Sequence, residues 1–366
     1  MSGKIRTAVI LLSRQNLRPS LKDDWVKNLK KAIEFVKSEG WTLCSSLGTP
    51  NWEIVTAGAA LGRVPLKLFI PVNCAQSVNE LLNSFGLDKH DVRFTTVGQD
   101  KTLLSKEEIW KVRDHHVISA AEIIIPVSIR PGGSLSESVD AAKCGGKNVN
   151  IDFQVKYNKS APKLSYTLDE AHLSNEIKEI GNDYVIHWTR SSNAPWPNEK
   201  KLDYYKSVFS SLAYPRNALN TLQRIIGTKQ IIAASRNMPG KVPTVSFSGL
   251  APIETIKLMK WRSRYRQMSF EPYGIGVKKN VALSLGMKEV RYHDANSNGR
   301  SNSVPAWLTQ SMGKITDWSN EKEYRHKGDF DLSAVANDHL ITICHRKAEA
   351  NELGNRLDIK SVSFCN

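Results

Sequence analysis

The sequence predicts two domains: an α/β domain built on a parallel sheet, then a basic α+β domain. Its 366 residues are enough for two cores at about 150 residues per domain. Apolar patterns of strand length and helix length alternate through the first half. The formal charge of +15 is uneven, because residues 181–366 hold 27 Lys and Arg against 16 Asp and Glu. The first domain is therefore nearly neutral in formal charge, and the second domain is cationic.

The composition indicates a folded chain that does not cross a membrane. Hydrophobic residues make up 40% of it and charged residues 24%, which excludes disordered chains and coiled coils. No apolar run approaches the roughly 18 residues that a membrane span needs. The short apolar run at 7–12 leads into polar residues without a cleavage pattern, so it is interpreted as a buried strand rather than a signal peptide. We therefore expect a cytoplasmic protein with no membrane partner.

The cysteines and histidines predict neither disulfides nor a metal centre. No two cysteines stand at a ligand spacing, and the His115-His116 pair does not supply one. Asp329 and Asp331 are too few to bind a cation. We expect free thiols in a reducing compartment and no metal. The cysteines are Cys44, Cys74, Cys144, Cys344 and Cys365.

Strands and helices alternate along residues 7–153. The helix over 24–38 shows the pattern best, since its apolar residues recur at helical spacing and Gly40 ends it. The predicted strands are 7–12, 41–44, 65–70, 92–97, 122–127 and 148–153. The predicted helices are 24–38, 52–61, 76–86, 106–119 and 134–142. Because repeated βα units form parallel sheets covered by helices, we expect a Rossmann-like, doubly wound domain over 1–160.

Two strand-to-helix turns of this domain have the composition of phosphate-binding loops. Glycines allow a backbone to approach a phosphate, helix N-termini offer free N–H groups, and an arginine adds a bidentate contact. Neither turn is a dinucleotide fingerprint or a Walker motif. The ligand-binding candidates in the first turn are Ser45, Ser46, Gly48, Thr49 and Glu53. Those in the second turn are Arg130, Gly132, Gly133, Ser134 and Glu137.

These turns give the first domain a resemblance to the SLOG superfamily, the Rossmann-like domains related to DprA and LOG proteins. The segment Arg130-Pro-Gly-Gly-Ser-x-x-Glu137 is similar to the Pro-Gly-Gly-x-Gly-Thr-x-x-Glu motif of LOG enzymes. It departs from that motif at Ser134-Leu-Ser136. The resemblance implies a nucleotide ligand, since LOG proteins hydrolyse nucleotide N-glycosidic bonds and other SLOG domains are thought to sense nucleotides. With this departure, the resemblance favours nucleotide binding over catalysis by this domain.

The second domain, over 180–366, follows a polar stretch at 154–182 and has less regular patterning. Its order of elements predicts an α+β fold rather than repeated βα units. The predicted strands are 184–189, 231–234, 245–248, 273–277, 290–292 and 339–344. The predicted helices are 204–212, 218–226 and 253–265, with a short one ending at 285.

A cationic, aromatic segment at 257–291 marks the second domain as the nucleic-acid face. It carries a net charge of +7, interleaved with Trp261, Tyr265, Phe270 and Tyr273. Clustered cations neutralise phosphates and flat rings stack on bases, which favours nucleic acid, with DNA preferred, over a merely solvated face. The nucleic-acid-binding candidates are Lys257, Lys260, Arg262, Arg264, Arg266, Lys278, Lys279 and Arg291.

Three blocks of the second domain resemble abortive-infection proteins of the AbiGi type and, more remotely, ADP-ribosyltransferase-like domains. The first block is 186–189 with the helix ending at Gly227, and the second is 245–248 with 252–254 and 273–276. The third is the Glu-x-Glu-x-Arg element within 318–325. The resemblance implies a defence effector, and its remote branch implies NAD as a cofactor.

The same blocks supply candidate catalytic residues on chemical grounds alone. A carboxylate pair stabilises an oxocarbenium-like ribose or activates an acceptor, and an arginine beside it lowers a carboxyl pKa or holds a phosphate. Two serines two residues apart on a strand share one face. The alternative to a catalytic role is a surface ion-pair cluster for Glu321, Glu323 and Arg325. For His187 it is a histidine of the core with its hydrogen bonds satisfied. The catalytic candidates are His187, Ser246, Ser248, Glu321, Glu323 and Arg325.

Three hypotheses for function remain open on the sequence. The leading one is an enzyme of a phage-defence or DNA-modification system that acts on a base or ribosyl group in DNA. Its chemistry is either ADP-ribosyl transfer, with NAD, or water addition or hydrolysis on a deazaguanine-type modified base, without NAD. The second is a non-catalytic nucleotide sensor or antitoxin that regulates a defence effector. The third is a nucleic-acid-binding scaffold without turnover.

Overall fold

The structure is a computed structural model that describes residues 6–71, 77–90, 92–97, 105–158, 163–236, 238–294, 304–312 and 318–366. It divides into two compact units. Unit 1 comprises Met1–Ala161 and Asn193–Pro215. Unit 2 comprises Pro162–Ser192 and Arg216–Asn366. The chain therefore leaves unit 1, returns to it once, and then completes unit 2.

Unit 1 contains a six-stranded sheet in the order β4-β3-β2-β1-β5-β6, with every neighbouring pair parallel. The strands are β1 (Thr7–Leu12), β2 (Thr42–Ser46), β3 (Leu66–Pro71), β4 (Arg93–Val97), β5 (Ile123–Ser128) and β6 (Asn148–Val149). This topology confirms the predicted Rossmann-like fold class. The predicted last strand is shorter than expected, because only its first two residues pair.

Helices cover both faces of this sheet, as apolar strands buried on both sides require. They are α1 (Asp24–Ser38), α2 (Pro50–Gly62), α3 (Val78–Ser84), α4 (Lys106–Ala120) and α5 (Ser134–Cys144). One core contains Ile10 and Leu43 with α1 and α2, and another contains Val9 and Cys44 with residues of α4. Alternate residues of the same strands thus enter opposite cores.

Two further helices follow, α6 (Asn175–Lys178) in unit 2 and α7 (Lys201–Ser210) in unit 1. The sequence had assigned α7 to the second domain. In the structure, its Tyr204, Tyr205, Val208 and Phe209 belong to the core of unit 1. Chain order does not reveal such an excursion, because the helix period shows which face is apolar but not which core it joins.

Unit 2 contains a mixed seven-stranded sheet in the order β13-β16-β9-β7-β12-β18-β19, antiparallel except where β18 meets β19. Its strands are β7 (Tyr184–Trp188), β9 (Thr244–Ser248), β12 (Gly274–Lys278), β13 (Lys288–Glu289), β16 (Glu323–Lys327), β18 (Leu340–Arg346) and β19 (Lys360–Cys365). The smaller paired strands are β8 (Gln230–Ile231), β10 (Trp261–Arg262), β11 (Gln267–Met268), β14 (Arg291–Asp294), β15 (Thr309–Met312) and β17 (Phe330–Asp331).

The helices of unit 2 differ from the sequence prediction in two places. They are α8 (Ala218–Thr228), α9 (Pro252–Thr255), α10 (Lys279–Ser284) and α11 (Lys347–Leu357). The sequence analysis did not predict α11 or the strand that follows it. The helix predicted over 253–265 is wrong beyond Leu258, where β10 and β11 form a hairpin instead. Aromatic and arginine residues alternate there, and Arg266 takes a positive φ of 50° that suits a turn and ends any helix.

One face of the unit 2 sheet is apolar throughout. The other face is apolar over part of the sheet and polar over the rest. Val185, Phe247, Ile275 and Tyr324 lie in the core on the first face, against α8 and α11. The second face carries a separate apolar core under β7, β12, β18 and β19. That core stops at β9 and β16, where polar side chains replace it. This polar region is therefore a candidate functional site.

Two simpler findings complete the description. No helix within the described residues is long and apolar enough to cross a bilayer. Cys44, Cys144, Cys344 and Cys365 are free thiols, as predicted, while Cys74 lies outside the described residues.

Helix packing in unit 1 makes a testable prediction at Gly58 of α2. A Cβ there would lie 2.3 Å from Ile33 Cδ1 and 3.1 Å from Phe209 Cζ, so α1 and α7 leave no room for a methyl group. We expect Gly58→Ala to destabilise unit 1 by about 1–3 kcal/mol through overpacking. Gly62→Ala on the same helix is the control, since its Cβ would make ordinary contacts at 3.5 Å. Urea unfolding followed by circular dichroism checks this, and equal effects of the two changes would contradict the described packing.

Candidate functional site

The second predicted turn of unit 1 lies where the sheet changes direction. The strand β1 has β2 on one side and β5 on the other, so the crevice past β1 and β5 is the position where such sheets bind ligands. The Arg130 backbone N–H donates to Ser13 Oγ at 2.9 Å, which ties the two strand ends together. Gly132 takes a φ of 65° and is exposed, and the Arg130 side chain is exposed too. The turn therefore presents backbone and a cation to solvent.

The first predicted turn is largely committed to internal contacts. Ser45 Oγ and Thr56 Oγ1 share a hydrogen bond of 2.8 Å, and Ser46 Oγ donates to the Phe69 carbonyl at 2.6 Å. The carboxylate of Glu53 accepts from Lys201 Nζ at 2.6 Å and from Tyr205 Oη at 3.3 Å. These three side chains stabilise unit 1, and α7 provides the partners of Glu53. Sequence reasoning missed this because α7 is far along the chain.

A buried arginine of α4 holds the rest of that turn. Arg113 donates to the Leu47 carbonyl and to Thr49 Oγ1, while its Nε donates to Asp114 at 2.8 Å. Burial raises the pKa of Asp114 despite Arg113 beside it. Beyond Gly48, which is exposed with a φ of 91°, this turn offers few groups to a ligand.

Ser134 and Glu137 of the second turn line a cavity of about 370 Å³ between α4 and α5. Lys111, Asp114 and His115 of α4 lie on its other side. The cavity is mixed in charge, so it does not by itself specify an anion. The structure thus brings Ser134 and Glu137 together with groups that the sequence did not single out.

In unit 2 the sheet register places four of the predicted catalytic residues on one face. Glu323 lies opposite Ser248, and Arg325 lies opposite Ser246. Residues directly opposite each other in a sheet project to the same side. They occupy the polar region described above, next to the apolar core on the same face. We call these four residues the polar quarter.

Arg325 is the fixed centre of the polar quarter, with only 2% of its residue surface exposed. Its Nε and Nη2 donate to both oxygens of Glu323 at 2.8 and 2.7 Å. Nη2 also donates to Gln310 Oε1 at 2.8 Å. Nη1 donates to the carbonyls of Trp307 and Thr309 at 2.8 and 3.3 Å. A guanidinium has five N–H donors, so this one has none left for a phosphate.

Glu321 stands just outside the strand that carries the ion pair. It ends a short 3-10 helix (Trp318–Glu321), and Lys322, at a φ of 44°, separates it from β16. Ser248 Oγ donates to the Glu321 carbonyl at 2.9 Å and fixes its backbone. Burial and, secondly, the charge of Glu323 raise the pKa of Glu321 to about 7, against the lowering effects of Arg262 and Arg325. Arg325 does lower the pKa of Glu321, as the sequence predicts, but burial raises that pKa by more.

Tyr292 joins this cluster from a strand that the sequence analysis left without a role. Its hydroxyl accepts from the Glu323 backbone N–H at 3.0 Å. Burial, together with the charges of Glu323 and Glu321, raises its pKa to about 12, so the phenol stays protonated. Ser246 Oγ is buried and has no hydrogen-bond partner among the described residues, which leaves one polar group of the quarter available. Nothing in the spacing along the chain signals Tyr292.

His187 does not join the polar quarter. It lies opposite Ile275, and its ring packs edge-on against Phe247 at 5.6 Å, on the apolar face of the sheet. Its Nδ1 donates to the Ser246 carbonyl at 2.9 Å. Burial lowers the pKa of His187, so the imidazole is neutral near pH 7. Strand alternation thus places the His187 side chain on the opposite face of the sheet from the Ser246 and Glu323 side chains.

The basic segment forms a cationic edge beside Glu321. The hairpin of β10 and β11 pairs Trp261 with Met268 and Arg262 with Gln267. The charge of Arg262, on this hairpin, lowers the pKa of Glu321, so the two groups interact electrostatically. The exposed cations in and just before the hairpin are Lys257, Lys260, Arg264 and Arg266. Tyr265 is 51% exposed, and the Arg264 guanidinium lies 5.7 Å from its ring centroid.

The other members of the basic segment lie elsewhere. Lys278 and Lys279 meet at the start of α10, where Lys279 Nζ lies 5.0 Å from the ring centroid of Tyr324. Arg291 begins β14. Of the aromatic residues expected to stack on bases, Tyr273 is buried and Phe270 packs against the core. Glu271 is one of the two acidic residues in the segment 257–291. It is fully buried and accepts from Ser191 and Tyr166, so it does not offset the exposed cations.

Comparison with known proteins adds little to this geometry. No protein-family model matches the chain, and no curated protein matches it significantly. A solved structure, the Moco carrier protein of Chlamydomonas rheinhardtii, matches at 11% identity over 40% of this chain and 74% of that chain, with a TM-score of 0.25. A similarity at that score carries no argument, so the α/β class of unit 1 rests on its sheet topology.

The bonding of Arg325 predicts a strong dependence of unit 2 on it. Replacing it with methionine would leave the Glu323 carboxylate buried without a counter-charge, and we expect Arg325→Met to destabilise unit 2 by about 3–5 kcal/mol. The double change Arg325→Met with Glu323→Leu should recover much of this loss, because both charges are removed. Chemical denaturation of the three proteins checks it. A double variant no more stable than Arg325→Met would contradict the assignment.

The raised pKa of Glu321 predicts a pH-dependent stability with a definite sign. Between about pH 4.5 and 7 the folded protein keeps a proton that the unfolded chain releases, so this residue's contribution falls as pH rises. The charges acting on it are Glu323, Arg262 and Arg325, with Tyr292 beside Glu323. We expect Glu321→Gln to be more stable than the wild type by about 2 kcal/mol at pH 8, and equally stable at pH 4. A variant that is less stable at pH 8 would contradict the buried position.

Proposed function

We propose that unit 2 is a nucleic-acid-acting catalytic domain, with Glu321 as general acid or base and the β10–β11 hairpin as the strand-binding edge. One observation carries the proposal: a cationic hairpin with an exposed aromatic ring supplies Arg262, whose charge acts on the pKa of Glu321, a carboxyl that forms no ion pair with the described residues. Neither feature alone specifies a function, but a polyanion bound on the hairpin would run past that carboxyl.

The hairpin has the two properties that strand binding requires. Exposed cations at Lys260, Arg264 and Arg266 neutralise phosphates, and the Tyr265 ring provides a surface for stacking. Stacking is available to any unpaired base, so single-stranded or locally opened DNA is the favoured ligand. We propose DNA rather than RNA as the polymer.

The cluster has the chemistry of acid–base work on a base or ribosyl group. A carboxyl with a pKa of about 7 is populated in both protonation states at neutral pH, which suits proton transfer. The Tyr292 hydroxyl and the unpartnered Ser246 hydroxyl lie in the same cluster and supply hydrogen bonds. Arg325 and Glu323 position this cluster and have no donor left for substrate. Both candidate reactions, ADP-ribosyl transfer and hydrolysis or hydration of a modified base, use this arrangement.

A second candidate function belongs to unit 1, where one observation favours it. The Arg130 guanidinium is exposed at the crevice past β1 and β5 and makes no hydrogen bond or ion pair with the described residues. This supports a nucleotide-sensing role for unit 1, in keeping with its resemblance to SLOG domains. For unit 2, the resemblance to AbiGi proteins supports the catalytic proposal, and we propose a role in phage defence or DNA modification. A finding that Arg130→Ala abolishes the response while Glu321→Gln preserves it would favour the sensor.

Binding and turnover are tested separately on the full chain. We expect Lys260→Gln with Arg264→Gln to weaken binding of a fluorescent single-stranded oligonucleotide and to reduce the salt dependence by about 0.7 per lost contact. The control removes the same charge from α11, at Lys347→Gln with Arg356→Gln, where both side chains are exposed. Equal loss of binding in the two variants would show a general charge effect and contradict a hairpin site.

Turnover is measured by mass spectrometry of nucleosides from the oligonucleotide, with and without NAD. We expect Glu321→Gln to lower the rate about 100-fold or more while strand binding is kept, and Glu352→Gln on α11 to change neither. The wild-type rate should depend on a group titrating near pH 7, as the Glu321 carboxyl does. An unchanged rate in Glu321→Gln contradicts its role, and binding without any mass change favours the scaffold.

A further inference from the structure

A cavity of about 520 Å³ lies beside the Glu321 cluster and belongs to no site described so far. Segment 288–291 forms one wall, and segment 304–308 forms the other. Its volume falls within the range of about 300–1,000 Å³ that small-molecule sites occupy. We call it the strand-edge cavity, because β13 is the edge strand of the sheet.

The cavity and the Glu321 cluster share a wall. The Val290 backbone N–H donates to the Glu323 carbonyl at 2.9 Å, and the Glu323 N–H donates to Tyr292 Oη at 3.0 Å. Leu308, on the far wall, stands between the two residues whose carbonyls Arg325 binds, Trp307 and Thr309. The buried ion pair therefore fixes both walls, so the cavity is a built feature of the fold.

Two cations of the lining form no ion pair with the described residues. Lys288 and Arg291 are exposed, and neither makes an ion pair or side-chain hydrogen bond with the described residues. Lys288 lies opposite Arg325, on the face that carries the polar quarter. Glu289 lines the cavity too, so the lining carries two cations against one carboxylate. Val290, Pro305 and Leu308 supply apolar surface.

We propose that the strand-edge cavity binds the phosphate and part of the base of a single nucleotide, with Lys288 and Arg291 as the phosphate ligands. The two cations of the lining outnumber its one carboxylate, which favours an anionic ligand, and Arg291 offers a bidentate contact to a phosphate. The apolar wall suits a flat ring. This inference rests on the proposed function for its substrate class, and it places the nucleotide next to Glu321. The nucleotide is either one residue of a bound strand or a free nucleotide.

Calorimetry on the full chain tests the cavity with two probes, deoxyadenosine monophosphate and a 5′-phosphorylated 12-nucleotide DNA strand. Deoxyadenosine is the ligand control. We expect the double change Lys288→Gln with Arg291→Gln to weaken binding of the phosphorylated probe about tenfold or more, since two charge-assisted contacts are lost. The charge-matched control is again Lys347→Gln with Arg356→Gln, which should leave affinity within about twofold.

The outcomes separate the two sources and the two proposals. If the double variant binds the mononucleotide more weakly than the wild type does, the ligand is a free nucleotide. If the double variant binds only the strand more weakly, the ligand is a nucleotide of the bound strand. Both results support the cavity as a nucleotide site. Wild-type binding of the mononucleotide that requires Lys288 and Arg291, with no strand binding, supports the cavity while the proposed function fails. Equal affinity for deoxyadenosine and its monophosphate, or equal affinity of the double variant and the wild type for both probes, overturns the inference.

Discussion

The five hydrogen bonds of Arg325 are the constraint on which the polar quarter of unit 2 depends. They join β16 to the segment 307–310, which lies outside the strands of the main sheet. Because the guanidinium is planar and its donors are fixed in direction, the positions of two carbonyls, an amide and a carboxylate follow from one side chain. A buried cation with any donor unmet would be costly, so the arrangement is held as a whole.

That constraint also explains why neighbouring acidic groups behave differently. Glu323 receives two hydrogen bonds from Arg325 and compensates its charge. Glu321 lies two residues away, beyond a left-handed residue, and receives none of these donors. Burial therefore dominates there and raises its pKa. One carboxylate is structural and its neighbour is chemically available, and the difference comes from which of them the arginine reaches.

Unit 1 uses the same kind of chemistry for a different end. Most polar residues of its first turn are committed inward, with Glu53 held by Lys201 and Tyr205 and the turn carbonyl held by Arg113. The second turn, at Arg130, remains open to solvent at the change of strand order. Two turns of similar composition thus differ in their exposure to solvent, because helices of the unit cover the first turn and leave the second open.

The sequence by itself determined the local elements, and the tertiary structure decided the sites. Hydrophobic periodicity predicted β1 and α1 at their observed bounds, and alternating βα units predicted the parallel sheet, because these signals are local in the chain. Three other features depended on partners distant in sequence. They are the placement of α7 in unit 1, the hairpin in place of a helix at 261–268, and the position of the His187 side chain on the opposite face of the sheet from that of Ser246. Spacing along the chain predicted that Glu321, Glu323 and Arg325 belong together. Only the register of β16 on β9 and the reach of Arg325 show which carboxylate is neutralised, since burial and pairing are properties of three-dimensional neighbours.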